Sequence, residues 1–202
     1  MKKGFTIAEL LVAISVIAVI GAVVAEVFSR SLRGGNKAQI VASIKQNGQA
    51  TLEAMDKTIR NSDEVVCPVI TGEGIQSKDT VALVKDGKYT RFMFRAGTST
   101  TNGYILQDNP APQSGELQEN FLLNICSNVD HVSSVPVSIT DKNTKTGVSV
   151  TAGSPNIFTR NKKSGFRDIL TINFDLKPGV LAPAAISGQI DPVTFTTTIQ
   201  LR

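Results

Sequence analysis

Apolar residues run almost unbroken from Phe5 to Ala25, 21 positions interrupted only by Thr6, Glu9, Ser15 and Gly21. At about 1.5 Å per residue, a helix of that length covers the roughly 30 Å hydrocarbon core of a bilayer. Past this run the pattern changes. Ile40, Val41, Ile44, Leu52, Met55 and Ile59 recur at spacings of three, four or their multiples, with Gln, Lys, Asn and Glu between them. That spacing predicts an amphipathic helix with one apolar stripe. No proline occurs between Met1 and Ile59, so a two-part helical stem is expected, apolar over 5–33 and amphipathic over 34–62. Gly34-Gly35 is its soft spot and the expected place of local unwinding.

From Asp63 onward the period shortens to two, which predicts a β-rich head over 63–202. The clearest element is "TVALVKDGKYTRFMFRA", two alternating runs around Asp86-Gly87. A two-residue type I′ turn needs positive φ at both central positions, and Asp-Gly supplies it. Further strands are expected at Glu64 to Ile70, Tyr104 to Gln107, Val135 to Thr140, Gly147 to Thr151, Ile169 to Lys177 and Val193 to Leu201. The runs "NPAPQSGE" and "AGSPNIFTRNKKSG" read as loops. An antiparallel sheet needs a cover on one face, and the stripe from Ile40 to Ile59 supplies one. The expected fold class is α+β, a long N-terminal helix packed on an antiparallel β-sheet head.

Charge changes the picture at one residue. The chain of 202 residues carries 21 Lys+Arg against 17 Asp+Glu, and the net +4 is scattered rather than clustered, so it establishes no nucleic-acid partner. Lys2 and Lys3 favour a cytoplasmic N-terminus, while Arg30 and Arg33 at the far end weaken that bias. Glu26 stands four residues before Arg30, the spacing of a solvated helix pair. Glu9, in contrast, is a carboxylate inside a membrane-length run, which marks a functional position. Three readings compete for the segment: a signal peptide cut near "VVA" before Glu26, a plain signal anchor, and a processed filament subunit. The first leaves Glu9 unexplained.

The stretch "KKGFTIAELLVAISVIAVIGAVV" resembles the N-terminus of the type IV pilin and type II secretion pseudopilin superfamily. It has a short basic leader ending in Gly4, a Phe next, and a Glu five residues after the glycine at the head of an apolar helix. The resemblance implies a leader over 1–4, cleavage between Gly4 and Phe5 by a prepilin peptidase, and N-methylation of Phe5. It also implies a single-pass protein with a cytoplasmic N-terminus and an extracytoplasmic head, drawn from the bilayer into a filament. In that setting the Phe5 amine is buried among apolar helices, and Glu9 of a neighbouring subunit neutralises it and fixes register. Thr6 has two readings, placing that amine or bonding its own helix backbone. The implied partners are the peptidase and methylase, other pilin or pseudopilin subunits, and an inner-membrane platform with its ATPase. The stretch "QIVASIKQNGQATLEAMDKTIRNSDEV" and the final "TFTTTIQLR" are similar to those of large minor subunits. Some members carry a kinking proline in the stem, which this chain lacks. The alternative is a signal-anchored ligand-binding or sensor module that forms no filament.

The chemistry-bearing residues are few. Cys67 and Cys126 form either a disulfide, closing a loop of some 60 residues, or two buried thiols. They lack C-x-x-C spacing. His131 is the only histidine, which excludes a multi-His metal site, and it reads as a surface or strand-end residue. "GEGIQS" lacks the remainder of any phosphate-loop fingerprint and reads as a turn. "DKNTKTG" offers Asp141 and Asn143 as oxygen donors for calcium, but Lys145 stands where an EF-type loop has an acid. The basic run Arg160 to Lys163 meets DNA or another anionic surface in one reading and is a solvated loop in the other. No aromatic stacking platform accompanies it, which favours the loop and leaves DNA binding without support. The expectation is a structural subunit with no cofactor and no catalytic site.

Overall fold

An α-helix, α1, occupies Ile7–Arg60. The computed structural model describes residues 6–127, 131, 133–153, 155–183, 188 and 190–201. The chain divides into two compact units, Met1–Val41 and Ala42–Arg202. In the first unit the large apolar side chains from Ile7 to Leu32 are all more than half exposed. Gly34 and Gly35 remain helical, contrary to the expected unwinding, because a glycine weakens a helix by only about 1 kcal/mol and its neighbours outvote it.

In the second unit, α1 buries Ile44, Gly48, Thr51, Met55 and Ile59, one stripe at spacings of three and four. This stripe packs on the sheets. Burial of Ile44, Met55 and Ile59 stabilises by about 1.5–3 kcal/mol each. Thr51 lies in the stripe because its hydroxyl is satisfied, donating to Asn47 O (2.8 Å) with Ile139 O at 3.3 Å. Gly48 lies there because a side chain has no room: a Cβ would fall inside the ring of Phe195. Neither position was evident in the apolar period, since neither residue is a large hydrophobe.

Among the described residues, ten strands and a short helix follow. They are β1 (Glu64–Cys67), β2 (Gly74–Lys78), β3 (Thr80–Lys85), β4 (Lys88–Arg95), β5 (Tyr104–Asp108), α2 (Gln118–Ile125), β6 (Val137–Ser138), β7 (Val148–Ala152), β8 (Phe158–Lys162), β9 (Ile169–Pro178) and β10 (Val193–Gln200). The single sheet expected is two. One five-stranded antiparallel sheet has the order β1-β3-β4-β5-β6. Its β3–β4 hairpin turns at Asp86 (φ 48°) and Gly87 (φ 71°), the two positive values the Asp-Gly pair predicts. Strand alternation puts Ala82, Tyr89 and Cys67 under α2, against Phe121 and Ile125. Leu83, Phe92, Phe94 and Ile105 are buried on the opposite face.

The second sheet has the order β10-β9-β8-β2, with β7 also on β9. Its spine is β9, which pairs with β10 from Ile169 to Leu176 and gives its other edge to β8 and then to β7. Leu170, Ile172, Phe174 and Leu176 point inward, where Phe174 and Phe195 stack with centroids 5.5 Å apart. The outer face is hydroxyl-rich, with Asp175 and Lys177 its charged residues on β9. Across it Ser77 bonds Thr159 (2.8 Å), Thr171 bonds Thr198 (3.1 Å), and Thr196 donates to Asn173 (3.0 Å).

Two strands and one helix are additional to the elements expected, and β1 and β6 are shorter than expected. β2 begins inside "GEGIQS" and β8 inside the run read as a loop: both are short and polar, β2 an edge strand paired with β8 over five residues, and β8 lying between β2 and β9. α2 arises from the apolar run "FLLNIC", too short for periodicity to separate strand from helix. The sheets join where Val150 N–H donates to Gly103 O (2.8 Å) and Ser149 receives the Gly103 N–H (3.1 Å).

The close approach at Gly48 sets a test. Gly48→Ala gains about 1 kcal/mol of helix propensity but forces Phe195 aside, at about 1–3 kcal/mol. The expected net effect is a loss of up to roughly 2 kcal/mol in chemical denaturation of the full chain in detergent. Adding Phe195→Leu should restore part of it, and a single variant more stable than wild type by the full propensity gain would show that the ring is not constrained.

Candidate functional site

The start of α1 carries a reciprocal pair. Thr6 is the residue before the first helical one, and its backbone N–H donates to Glu9 Oε2 (2.9 Å) while the Glu9 N–H donates to Thr6 Oγ1 (3.3 Å). The Thr6 hydroxyl also donates to the same Oε2 (2.9 Å). This is a capping box, which satisfies two orphan donors at a helix start. Its T-x-x-E signature stands in the sequence as Thr6-Ile-Ala-Glu9, and the sequence reading did not weigh it. Among the described residues Glu9 Oε1 has no partner, so one carboxylate oxygen is engaged and the other is open. Gly4 and Phe5, where cleavage and methylation are expected from the sequence, lie outside the described residues.

One helix, α1, is long and apolar enough to cross a membrane, a candidate single span near the N-terminus. Ser15 sits within it by donating to Val12 O (2.8 Å), so its hydroxyl needs no outside partner. Arg30 and Glu26 form the expected i,i+4 pair at 2.5 Å, with both side chains mostly exposed.

In the head, the polar residues act as braces. Cys67 and Cys126 are disulfide-bonded, tying β1 to the end of α2. Arg91 and Asp108 form a fully buried, bidentate ion pair (Nε–Oδ1 2.9 Å, Nη2–Oδ2 2.6 Å) between registered positions of β4 and β5. Nη1 of Arg91 reaches Ile125 O and Ser127 O, both at 3.4 Å, and Ser134 donates to Asp108 Oδ2 at 2.7 Å. The guanidinium thus holds the end of α2 over the sheet. Nothing in the one-dimensional pattern pairs residue 91 with 108, so this brace was not legible.

Several sequence expectations are corrected here. His131 is buried rather than at the surface, its ring edge-on to Phe121 at 5.4 Å and its Nδ1 2.7 Å from Ser133 Oγ. Ser133 Oγ also accepts the Ala111 N–H (2.9 Å), the Ser133 N–H lies 3.3 Å from His131 Nδ1, and Glu116 stands 3.8 Å from Nε2. Arg160 leaves the basic run: it is buried in β8, paired with Asp168 at 2.6 Å and donating to Pro68 O at 2.7 Å. Asp141 and Asn143 spend side-chain oxygens on their own loop, accepting the N–H groups of Asn143 (2.9 Å), Lys145 (3.0 Å) and Thr146 (3.1 Å). Among the described residues, no cluster of three or more His, Cys, Asp or Glu could hold a metal.

Comparison with protein-family models, curated proteins and solved structures finds no match.

Removing one partner of a buried ion pair leaves an uncompensated charge. Arg91→Met should therefore cost about 3–5 kcal/mol in denaturant unfolding, and Arg91→Met with Asp108→Leu markedly less; equal losses would deny the pair its role. Glu116 sets a second test. The Gln113 N–H, then the Asn124 amide and His131, hold its carboxyl below the ordinary value against the opposing effect of burial. A depressed folded value gives stability that is present at neutral pH and lost as pH falls through that value. Glu116→Gln should flatten this acid limb when the thermal midpoint is followed against pH.

Proposed function

We propose that this chain is a structural subunit, a minor pilin or pseudopilin, of a type IV pilus or type II secretion-like filament. The observation that carries the reading is the join of a specific N-terminal pattern to the right kind of helix. "KKGFTIAELL" puts Gly4, Phe5 and Glu9 at the head of the candidate membrane span, and a long helix followed by antiparallel sheets fits the general pilin architecture. In this reading a prepilin peptidase cuts after Gly4 and Phe5 is methylated. The subunit waits in the cytoplasmic membrane with its head outside, then enters the filament by helix packing, driven by a platform and its ATPase. No catalysis is assigned to it.

The capping box refines the role of Glu9. Oε2 holds the subunit's own helix start, and Oε1 remains for the N-terminal amine of a neighbour. An ammonium buried in apolar surroundings without a counter-charge costs several kcal/mol, which gives that oxygen its purpose. Thr6 then positions the carboxylate rather than the amine.

Two measurements test the reading. Mass analysis of the mature protein should return methylated Phe5 as the first residue; an intact Met1 or a cut near Ala25 would favour the signal-anchored module instead. Glu9→Gln should leave insertion and cleavage intact and reduce incorporation into sheared filaments at least tenfold, whereas wild-type incorporation would remove Glu9 from assembly.

A further inference from the structure

The turn between β8 and β9 carries an aromatic ring that the head does not bury. Phe166 is 67% exposed at its apex, Gly165 adopts φ 76°, and the Phe166 N–H closes the turn on Lys163 O (3.1 Å). A single exposed ring is ordinary. This one has cationic company. The Lys163 ammonium lies 5.3 Å from the ring centroid, Arg167 is exposed beside it, and half-buried Lys162 ends β8. Among the described residues none of these three cations is in an ion pair. Of the carboxylates at the turn, Glu73 accepts the Ser164 N–H (2.7 Å) and Asp168 is paired with Arg160 (2.6 Å).

The base of the turn is rigid where its tip is open. Arg160 and Asp168 pair across it, and Arg160 also holds Pro68 O, so the tip is presented on a braced hairpin. A tip with a single exposed ring lacks the succession of aromatic platforms on which the bases of a nucleic-acid strand stack. It does match a bilayer surface, where an aromatic ring enters the boundary between headgroups and acyl chains and cations meet lipid phosphates.

We propose that the β8–β9 turn is a contact for the surface of an anionic bilayer, with Phe166 inserted and Lys162, Lys163 and Arg167 on the headgroup phosphates. The proposal goes beyond the filament reading and makes no use of α1. Processing and filament incorporation report on α1 and the present test on the turn, so either can fail alone.

The test holds the complete chain in phosphatidylcholine nanodiscs, which occupy α1, and measures capture by added vesicles in flotation. Vesicles containing phosphatidylglycerol should capture the nanodiscs, and pure phosphatidylcholine vesicles should not. Lys163→Gln and Arg167→Gln should each weaken capture about fivefold, Phe166→Ser roughly tenfold, and added salt should weaken it further. Equal capture by both vesicle types, or capture unchanged in Phe166→Ser and in the two cation variants, overturns the proposal. A labelled single-stranded oligonucleotide is the second probe. Binding of it that depends on Phe166, without vesicle capture, would assign the turn to nucleic acid and also overturn it.

Discussion

The head is organised by how closely α1 approaches the sheets, and that distance is set where Gly48 meets the ring of Phe195. A helix can lie on an aromatic side chain only where it presents no Cβ of its own. Around that point the stripe of Ile44, Thr51, Met55 and Ile59 closes the core. The same contact orders the second sheet from beneath, since Phe195 stacks on Phe174 of the spine strand β9. Apolar area supplies the stability, and the missing side chain supplies the fit.

Polar groups then fix what apolar packing leaves loose. The short helix α2 has an apolar face of only Phe121 and Ile125, too small to set its position by burial alone. The Cys67–Cys126 disulfide and the carbonyl contacts of Arg91 hold it at its C-terminal end. Buried ion pairs contribute little net stability compared with apolar packing, but they are costly to break singly, and this makes alternative placements of α2 unfavourable. Arg160 does the same for the hairpin of β8 and β9.

What the sequence revealed follows from which physics is local. The α1 stripe, the Asp86-Gly87 hairpin and the long strands β9 and β10 were legible, because period and turn chemistry are written in neighbouring residues. Strands β2 and β8 were not, since each is short and polar, and β2 acquires its conformation from β8, a partner some eighty residues away. Gly48 was invisible for a related reason: its necessity lies in a ring contributed from the far end of the chain. At the N-terminus the balance differs. The capping box at Thr6 and Glu9 is fully local, and its T-x-x-E signature is written in four neighbouring residues, whereas the same acid's place in an apolar run points to a second role.

The last strand, β10, runs along β9 from Leu176 to Ile169 and sends Phe195 to α1, a partner made about 150 residues earlier. Synthesis delivers the chain from its N-terminus, so the stripe on α1 exists for most of that time with no lid. The first sheet can close from β1 to β6 while β10 is still to come, but the contact that seats α1 waits for residues 193–200. Long-range closure of this kind carries a loop-entropy cost before any contact rewards it. The C-terminal strand therefore acts as a completion check: a chain cut short by even ten residues presents an open, apolar cleft, the surface that chaperones and proteases recognise.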